Sequence, residues 1–226
     1  MLPLIRLLQL ASPALPVGAY TYSQGLEWAV EAGAVRDEAA AGRWIGDLLE
    51  WNLARFEAPL LARLIAAWTT GDDAAVAALN ADFLASRETQ EMRAETVQMG
   101  YSLVRLFAEL DAFALLPGWR ARLVAVDAPA FPTAWAAAAA AWRIPADQAV
   151  PAYLWAWLEN QVMAAVKVVP LGQSAGQRLL ARLGERLPAL AALAAELPED
   201  RWSNFTPGLA IASSRHETQY TRLFRS

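Results

Sequence analysis

Helical periodicity of apolar residues runs through most of this chain, and the alternating pattern expected for strands is nearly missing. Residues 89–110 give the clearest case, with apolar residues spaced by three, four and seven positions: Met92, Met99, Leu103, Leu106 and Leu110. The opposite face of this predicted helix carries polar residues that we expect to be solvated: Glu91, Glu95, Gln98 and Arg105. The sequence therefore predicts an all-α fold.

Helix boundaries are marked by aspartates at the starts and by proline and glycine at the ends. Three predicted helices begin after an aspartate: from Asp37 to about Trp68, from Asp72 or Asp73 to Leu84, and from Asp147 to Val169. The alanine-rich residues 135–142 predict a helix that packs closely against its neighbours. From usual helix and loop lengths we expect about nine or ten helices. We expect them to form one compact domain that spans residues 1–226.

The composition excludes several classes of protein. Apolar residues make up 56% of the chain and include ten tryptophans, which favours a globular protein over a disordered one. The formal charge is -4 and the basic residues are scattered, so nucleic acid is not an expected partner. Residues 7–26 are uncharged, but Pro13, Pro16 and Gly18 interrupt them, so we expect no membrane span there. Cysteine is absent, which excludes disulfides and fits a reducing cytoplasm.

Motifs for catalysis and for metal binding are missing. The glycine-rich residues 172–176 are followed by Gln177, where a phosphate-binding loop needs lysine. His216 is the only histidine, so a multi-histidine metal site would need a second chain. No Gly-x-Ser-x-Gly motif is present, and we interpret paired carboxylates such as Glu91 and Glu95 as solvated helix charges. We therefore expect no catalytic residue, no cofactor and no metal site within one chain.

Proline, glycine, aromatic and hydroxyl residues are concentrated in residues 12–25, which we call the first loop. One interpretation is an ordered loop in which Thr21 or Ser23 caps the helix that follows. The other is a stiff loop that presents Tyr20, Tyr22 and Gln24 to a partner. The residues alone leave both interpretations open.

Lys167 is the only lysine, against eighteen arginines, and it lies in an otherwise apolar run. Its ammonium group can extend to solvent along its apolar stem. Alternatively, it lies near the end of a helix that Pro170 and Gly172 terminate, where a cation offsets the helix dipole. A carboxylate of a partner is then a possible counter-charge.

The end of the sequence is rich in functional side chains, which is unusual for a disordered terminus. One interpretation is an amphipathic last helix in which four apolar residues are docked: Ile211, Tyr220, Leu223 and Phe224. The other interpretation is a segment that a partner binds. His216 alone is weak evidence for a metal site, because one imidazole holds a transition metal poorly.

Four motifs together resemble the UreF family of urease accessory proteins. They are residues 22–27 (YSQGLE) after the proline-rich loop, the helix over residues 88–100, Gly172 and Gln173 with Gln177, and residues 216–226 (HETQYTRLFRS). The resemblance spans residues 7–226.

This resemblance implies an all-α, non-enzymatic chaperone for maturation of a nickel enzyme. Proteins of this family bind a β-rich scaffold protein, UreD or UreH, recruit the GTPase UreG and assist nickel delivery to apo-urease. They commonly form homodimers on the scaffold. The resemblance thus implies a cytoplasmic adaptor that has no catalytic site of its own. The alternative is a nickel storage or carrier protein that acts alone.

The resemblance also assigns roles to particular residues. It implies that His216, Glu217, Tyr220 and Arg222 contact the scaffold or the dimer mate. A second group is expected to face the GTPase: Tyr20, Tyr22, Gln24, Glu27 and Lys167. Many relatives carry histidine where this chain has Gln24, so we do not expect the first loop to pass nickel through an imidazole.

Overall fold

The structure is a computed structural model that describes residues 1–109 and 117–226, and it confirms the all-α prediction. Within these residues there is no strand. The helices, in chain order, are α1 Leu2–Leu10, α2 Leu26–Glu31, α3 Glu38–Leu48, α4 Ala58–Thr70, α5 Asp73–Ala85, α6 Gln90–Glu109, α7 Pro117–Val124, α8 Phe131–Ala141, α9 Ala146–Val168, α10 Gln173–Gly184, α11 Leu187–Glu196 and α12 Pro207–His216. The π-helical segment Leu49–Glu57 joins α3 to α4 without a break. None of the helices described is both long enough and apolar enough to cross a membrane.

Two of the three aspartate starts predicted from the sequence are confirmed. The third helix, α9, begins at Ala146 after Pro145, so Asp147 lies within its first turn and does not precede it. Asp37 caps α3 by accepting a hydrogen bond of 2.7 Å from the Ala40 amide, and Asp72 caps α5 by accepting one of 2.9 Å from the Ala75 amide. The predicted end of α6 at Leu110 lies outside the described residues. For α2, the capping interpretation is partly right, because Ser23 Oγ accepts the Glu27 amide of the first turn at 3.3 Å, whereas the Thr21 hydroxyl donates to the Gly18 carbonyl oxygen. Gly25, with φ at +76°, is the N-cap residue, because the chain turns there through a left-handed conformation.

The alanine-rich helix α8 lies in the interior, packed against α4 and α6. All of residues 132–140 are buried, so the predicted close packing is confirmed. Gly100 of α6 shows how tight the approach is, because a Cβ atom there would lie 1.9 Å from the Pro129 carbonyl oxygen. The Asn80 side chain connects α5 to this region by accepting hydrogen bonds from the Ala130 amide and the Thr133 hydroxyl.

Four helices position the residues that the sequence singled out. Helix α2 follows the first loop and packs against α9 and α12, while α6 carries Glu91 and Glu95 beside them. Residues 217–226, which we call the terminal segment, continue from the end of α12 at His216. The α2–α12 contact is close at Gly25, where a Cβ atom would lie 2.9 Å from the Ala212 Cβ.

Candidate functional site

Three glutamates hold the terminal segment against α2 and α6, and we call Glu27, Glu91 and Glu95 the carboxylate cluster. The Glu27 carboxylate accepts hydrogen bonds from the backbone amides of Leu223 and Phe224, with N···O distances of 2.7 and 3.0 Å. Hydrogen bonds to an ionised acceptor are stronger than those between neutral groups. The backbone of the terminal segment is therefore fixed by a buried charge on α2.

His216 lies at the centre of this cluster, fully buried, and links α12 to α2 and α6. Its Nδ1 atom is 2.6 Å from Glu91 Oε2, and its Nε2 atom is 3.3 Å from Glu27 Oε2. Both ring nitrogens can donate to these carboxylates together only when the imidazole is protonated. Glu91 also accepts from Arg222 Nη1 at 2.5 Å, so this carboxylate connects α6 both to His216 of α12 and to the terminal segment.

The first loop and the terminal segment are connected by further hydrogen bonds. The amide and the hydroxyl of Ser23 donate to the backbone oxygen of Ser226 at 2.9 and 2.7 Å. The Arg225 amide donates to the Thr21 carbonyl oxygen at 2.8 Å. Two segments that the sequence singled out separately therefore form one structural unit.

Glu95 is the most deeply buried carboxylate of the cluster, and its contacts are with neutral donors. Gln24 Nε2 donates to it at 2.7 Å and the Ser226 hydroxyl donates at 2.8 Å. Burial raises the pKa of Glu95 to about 7, although these two hydrogen bonds oppose the shift. Our interpretation of Glu95 as a solvated helix charge was therefore wrong, because it faces the interior between α6 and the first loop.

Tyr22 and Gln24 face inward and not into solvent. Tyr22 is buried, and burial raises its pKa, with the nearby charge of Glu95 adding to the shift. Gln24 is half-buried and bridges two helices, donating to Glu95 on α6 and accepting from Trp157 Nε1 on α9 at 2.8 Å. These side chains thus position the first loop against the helices behind it.

Lys167 occupies the last turn of α9, as one of its two interpretations predicted, and its side chain is exposed. Its Nζ atom lies 5.9 Å from the ring centre of Tyr20 and 5.5 Å from that of Phe224. These are distances at which a cation is attracted to an aromatic face. Lys167 therefore marks the point where α9, the first loop and the terminal segment meet.

The terminal segment exposes most of its large side chains. Of the four apolar residues that a docked last helix would bury, only Phe224 is buried. Helix α12 ends at His216, before Tyr220 and Leu223, and Ile211 is 56% exposed although it lies within α12. Tyr220 is fully exposed and Leu223 is 74% exposed. Glu217 is also exposed and accepts the Glu91 amide in the first turn of α6, where the helix dipole favours an anion. The segment has a fixed backbone and an apolar, exposed outer face.

A cleft of about 250 Å³ lies beside the carboxylate cluster, between α1, the first loop, α6 and α9. Glu95, Gln24 and Lys167 are among its lining residues. Deeper in the cleft, Glu57 accepts from the Tyr153 hydroxyl and lies 3.6 Å from Arg87 Nη1. Burial raises the pKa of Tyr153 well above its ordinary value.

Sequence patterns did not identify the buried group Glu57, Arg87 and Tyr153. One signal was present, because Glu57 occupies the same helical stripe as Leu53, Leu60 and Leu64. An acidic residue on an apolar stripe indicates a buried carboxylate with a partner. Nothing local to Arg87 or Tyr153 identified them as its partners.

The site offers little for binding a metal ion. Among the residues that the structure describes, no group of three or more acidic or histidine side chains is arranged to hold one. The side chains that converge here instead bind each other and the backbone of the terminal segment. The buried polar side chains therefore hold the terminal segment in place, while its outer side chains stay exposed.

Comparison with known proteins gives a consistent result. The UreF family model matches residues 35–184. The chain is similar to a urease accessory protein UreF of Azoarcus sp. (strain BH72), with 83% identity over 100% of this chain and 97% of that protein. It is 62% identical to the UreF of Dechloromonas aromatica (strain RCB), over 100% of this chain and 98% of that protein. It is also 50% identical to a bifunctional urease accessory protein UreEF of Bordetella bronchiseptica, covering 99% of this chain and 52% of that protein.

Proposed function

Because the chain belongs to the UreF family of urease accessory proteins, we propose that it is a non-catalytic adaptor that joins a UreD- or UreH-type scaffold to the UreG GTPase during urease maturation. In this proposal the assembly acts in the cytoplasm, contains a homodimer of this chain, and delivers nickel to apo-urease. The chain acts as a checkpoint, so that GTP hydrolysis by the partner releases nickel only from a complete assembly.

The terminal segment carries this proposal. Its backbone is held by the buried Glu27, while Tyr220 and Leu223 are exposed. Exposed apolar and aromatic residues on a fixed backbone are typical of protein interfaces, because little conformational entropy is lost on binding. We assign the scaffold or dimer contact to this outer face, with Arg222 and Glu217 at its polar edge.

The GTPase-facing surface in this proposal adjoins the terminal segment at Lys167. Tyr20 is 66% exposed and lies beside Lys167, so an aromatic ring and a cation are presented together. Tyr22, Gln24, Glu27 and His216 act from beneath, by positioning the surface residues. A charge at the edge of an interface mainly affects the rate and specificity of association.

The proposal is tested with the full-length chain co-expressed with a UreD-type scaffold, with and without UreG and its nucleotide. Size-exclusion chromatography with light scattering should give a defined complex for the unchanged chain. Tyr220→Ala with Leu223→Ser should abolish scaffold binding. The control is Phe205→Ala, an exposed aromatic residue outside the terminal segment. Normal assembly of the double variant would show that this face is not the interface.

Two further measurements separate the remaining parts of the proposal. Lys167→Ala should reduce UreG recruitment and the nickel content of urease, whereas Arg105→Ala, which removes an exposed charge on α6, should not. Unchanged recruitment in Lys167→Ala would remove this residue from the GTPase surface. Equilibrium dialysis of the isolated chain with Ni²⁺ should show weak binding at most, and tight stoichiometric binding would favour a storage protein.

A further inference from the structure

The contacts that seat the terminal segment depend on groups that exchange protons. Glu95 accepts the Ser226 hydroxyl, and Glu27 accepts two backbone amides of the segment. His216 stands between Glu27 and Glu91 at the start of the segment. A change in protonation at these positions alters the hydrogen bonds that fix the segment.

Glu95 is the group whose charge is least compensated. It is 7% exposed, and the direct contacts described above are with a neutral amide and a neutral hydroxyl. The charged and titratable groups that act on it from neighbouring elements are Arg87 before α6 and Glu57 at the end of the π-helical segment. Tyr22 of the first loop and Tyr153 of α9 also face it. Arg87 is itself beside Glu57, so its charge is shared.

The neutral form of Glu95 suits this environment better than the ionised form. Removing a carboxylate from water is costly unless a counter-charge or several donors replace the water. A neutral carboxyl keeps both contacts, because it still accepts from Gln24 and the Ser226 hydroxyl can reverse its role. Releasing the terminal segment opens this side of Glu95 to solvent, which favours ionisation. The loss of the Ser226 hydrogen bond opposes this, but burial is the larger influence on the pKa of Glu95.

We propose that Glu95 is a proton-controlled clasp, which seats the terminal segment firmly when it is neutral and loosens it when it ionises as the pH rises toward neutrality. The proposal extends the proposed function, because it regulates the surface to which we assign partner binding.

The direction follows from proton linkage. The pKa of Glu95 is raised from 4.5 to about 7 in the seated structure. The contribution of Glu95 to seating the terminal segment is therefore complete below pH 4.5 and is lost as the pH rises to about 7. If release returned Glu95 to its ordinary pKa, proton linkage would give a fall of roughly 20-fold in the seating constant between about pH 5.5 and about pH 7.5, and this is the upper limit.

The test is hydrogen exchange, followed by NMR, at the Leu223 and Phe224 amides of the isolated full-length chain. Protection factors, which correct for the intrinsic pH dependence of exchange, should fall severalfold over that pH range, up to a limit of roughly 20-fold. Amides in the centre of α8 should not follow this fall. An equal fall in α8 would mean that exchange reports global unfolding, and the proposal would fail.

Two variants identify the responsible group. Glu95→Gln, which is always neutral, should lose most of the pH dependence. Glu159→Gln should keep the full dependence. Glu159 lines the same cleft, and burial raises its pKa, but its side chain has no hydrogen bond to residues 217–226 among those described. An undiminished fall in Glu95→Gln would overturn the proposal.

A second measurement needs no substitution at Glu95. The carboxyl ¹³C resonance of Glu95 should titrate at a clearly lower pH in a chain that lacks residues 220–226 than in the full-length chain. An unchanged midpoint would contradict the proposal. These measurements involve no partner. Their outcome for Glu95 is therefore independent of whether the chain binds the scaffold in the test of the proposed function.

Discussion

The interior around α8 and the site around the terminal segment are stabilised by different interactions. Alanines and Trp135 fill α8, and residues 132–140 make their contacts by shape and burial. The terminal segment is held by carboxylates that accept hydrogen bonds from backbone amides and from the Ser226 hydroxyl, and that contact the His216 imidazole. Packing gives the interior its stability, whereas hydrogen bonds to buried charges give the terminal site its geometry. Substitutions in the two regions should therefore differ in size and in what they disturb.

The largest effect is expected from Trp135→Ala in the interior. Trp135 is fully buried and packs edge-on against Tyr153, with ring centres 5.3 Å apart. Its removal should lower the free energy of unfolding by about 3–5 kcal/mol, measured by urea denaturation. Trp51→Ala, at a tryptophan that is 48% exposed, is the matched control and should cost much less. Equal losses would show that α8 is not the stabilising centre.

Glu27→Gln should have an intermediate effect on overall stability and a large local one. The substitution replaces the charged acceptor of the Leu223 and Phe224 amides, and hydrogen bonds to charged groups contribute about 1.5–3 kcal/mol. Hydrogen exchange at those two amides should accelerate, while exchange in α8 changes less. Glu31→Gln, at an exposed position on the same helix, is the control. Unchanged protection at Leu223 and Phe224 would contradict the role given to Glu27.

A pair of glycine substitutions isolates the packing of α12 on α2. Gly25 and Gly71 have similar left-handed backbones, with φ at +76° and +80°. A Cβ atom at Gly25 would lie 2.9 Å from the Ala212 Cβ, whereas one at Gly71 would meet no atom within 4 Å. Gly25→Ala should therefore be less stable than Gly71→Ala by about 1–3 kcal/mol, the usual cost of overpacking. Equal thermal stabilities would mean that α12 moves away easily.

The smallest effect on stability is expected for Arg222→Ala. Arg222 pairs with Glu91, but its side chain is 38% exposed, and pairs of this kind contribute about 0.2–1 kcal/mol. Arg105→Ala, which breaks the exposed pair with Glu109, should cost a similar amount in the same urea titration. A loss above about 2 kcal/mol would place Arg222 with the buried network.

Local sequence patterns were sufficient to predict the helices but not the partners of the polar residues. Asp37 and Asp72 cap helices through amides three residues away, so their roles follow from short-range rules. Glu27 meets Leu223 across 196 residues, and no local pattern encodes that separation. The motifs at the two ends indicated functional segments, but the sequence did not show that the segments pack together.

The error at Glu95 has a simple geometric cause. At 100° per residue, Glu95 lies about 40° from Met99 and about 60° from Met92 around the helix axis. It therefore borders the buried stripe instead of opposing it. Glu91 is farther round the helix, where it pairs with Arg222 and contacts His216. Composition alone gave no reason to expect a carboxylate to be buried at this boundary.

The hydrogen bond between Ser23 and Ser226 has a consequence for the order of synthesis. The two residues are 203 positions apart, which a ribosome covers in roughly 10 to 40 s at about 5–20 residues per second. Throughout that interval the first loop and α2 exist without the terminal segment, whose backbone forms the hydrogen bonds to Ser23 and Glu27. A nascent chain that has not yet reached Ser226 therefore lacks the contacts that assemble this surface.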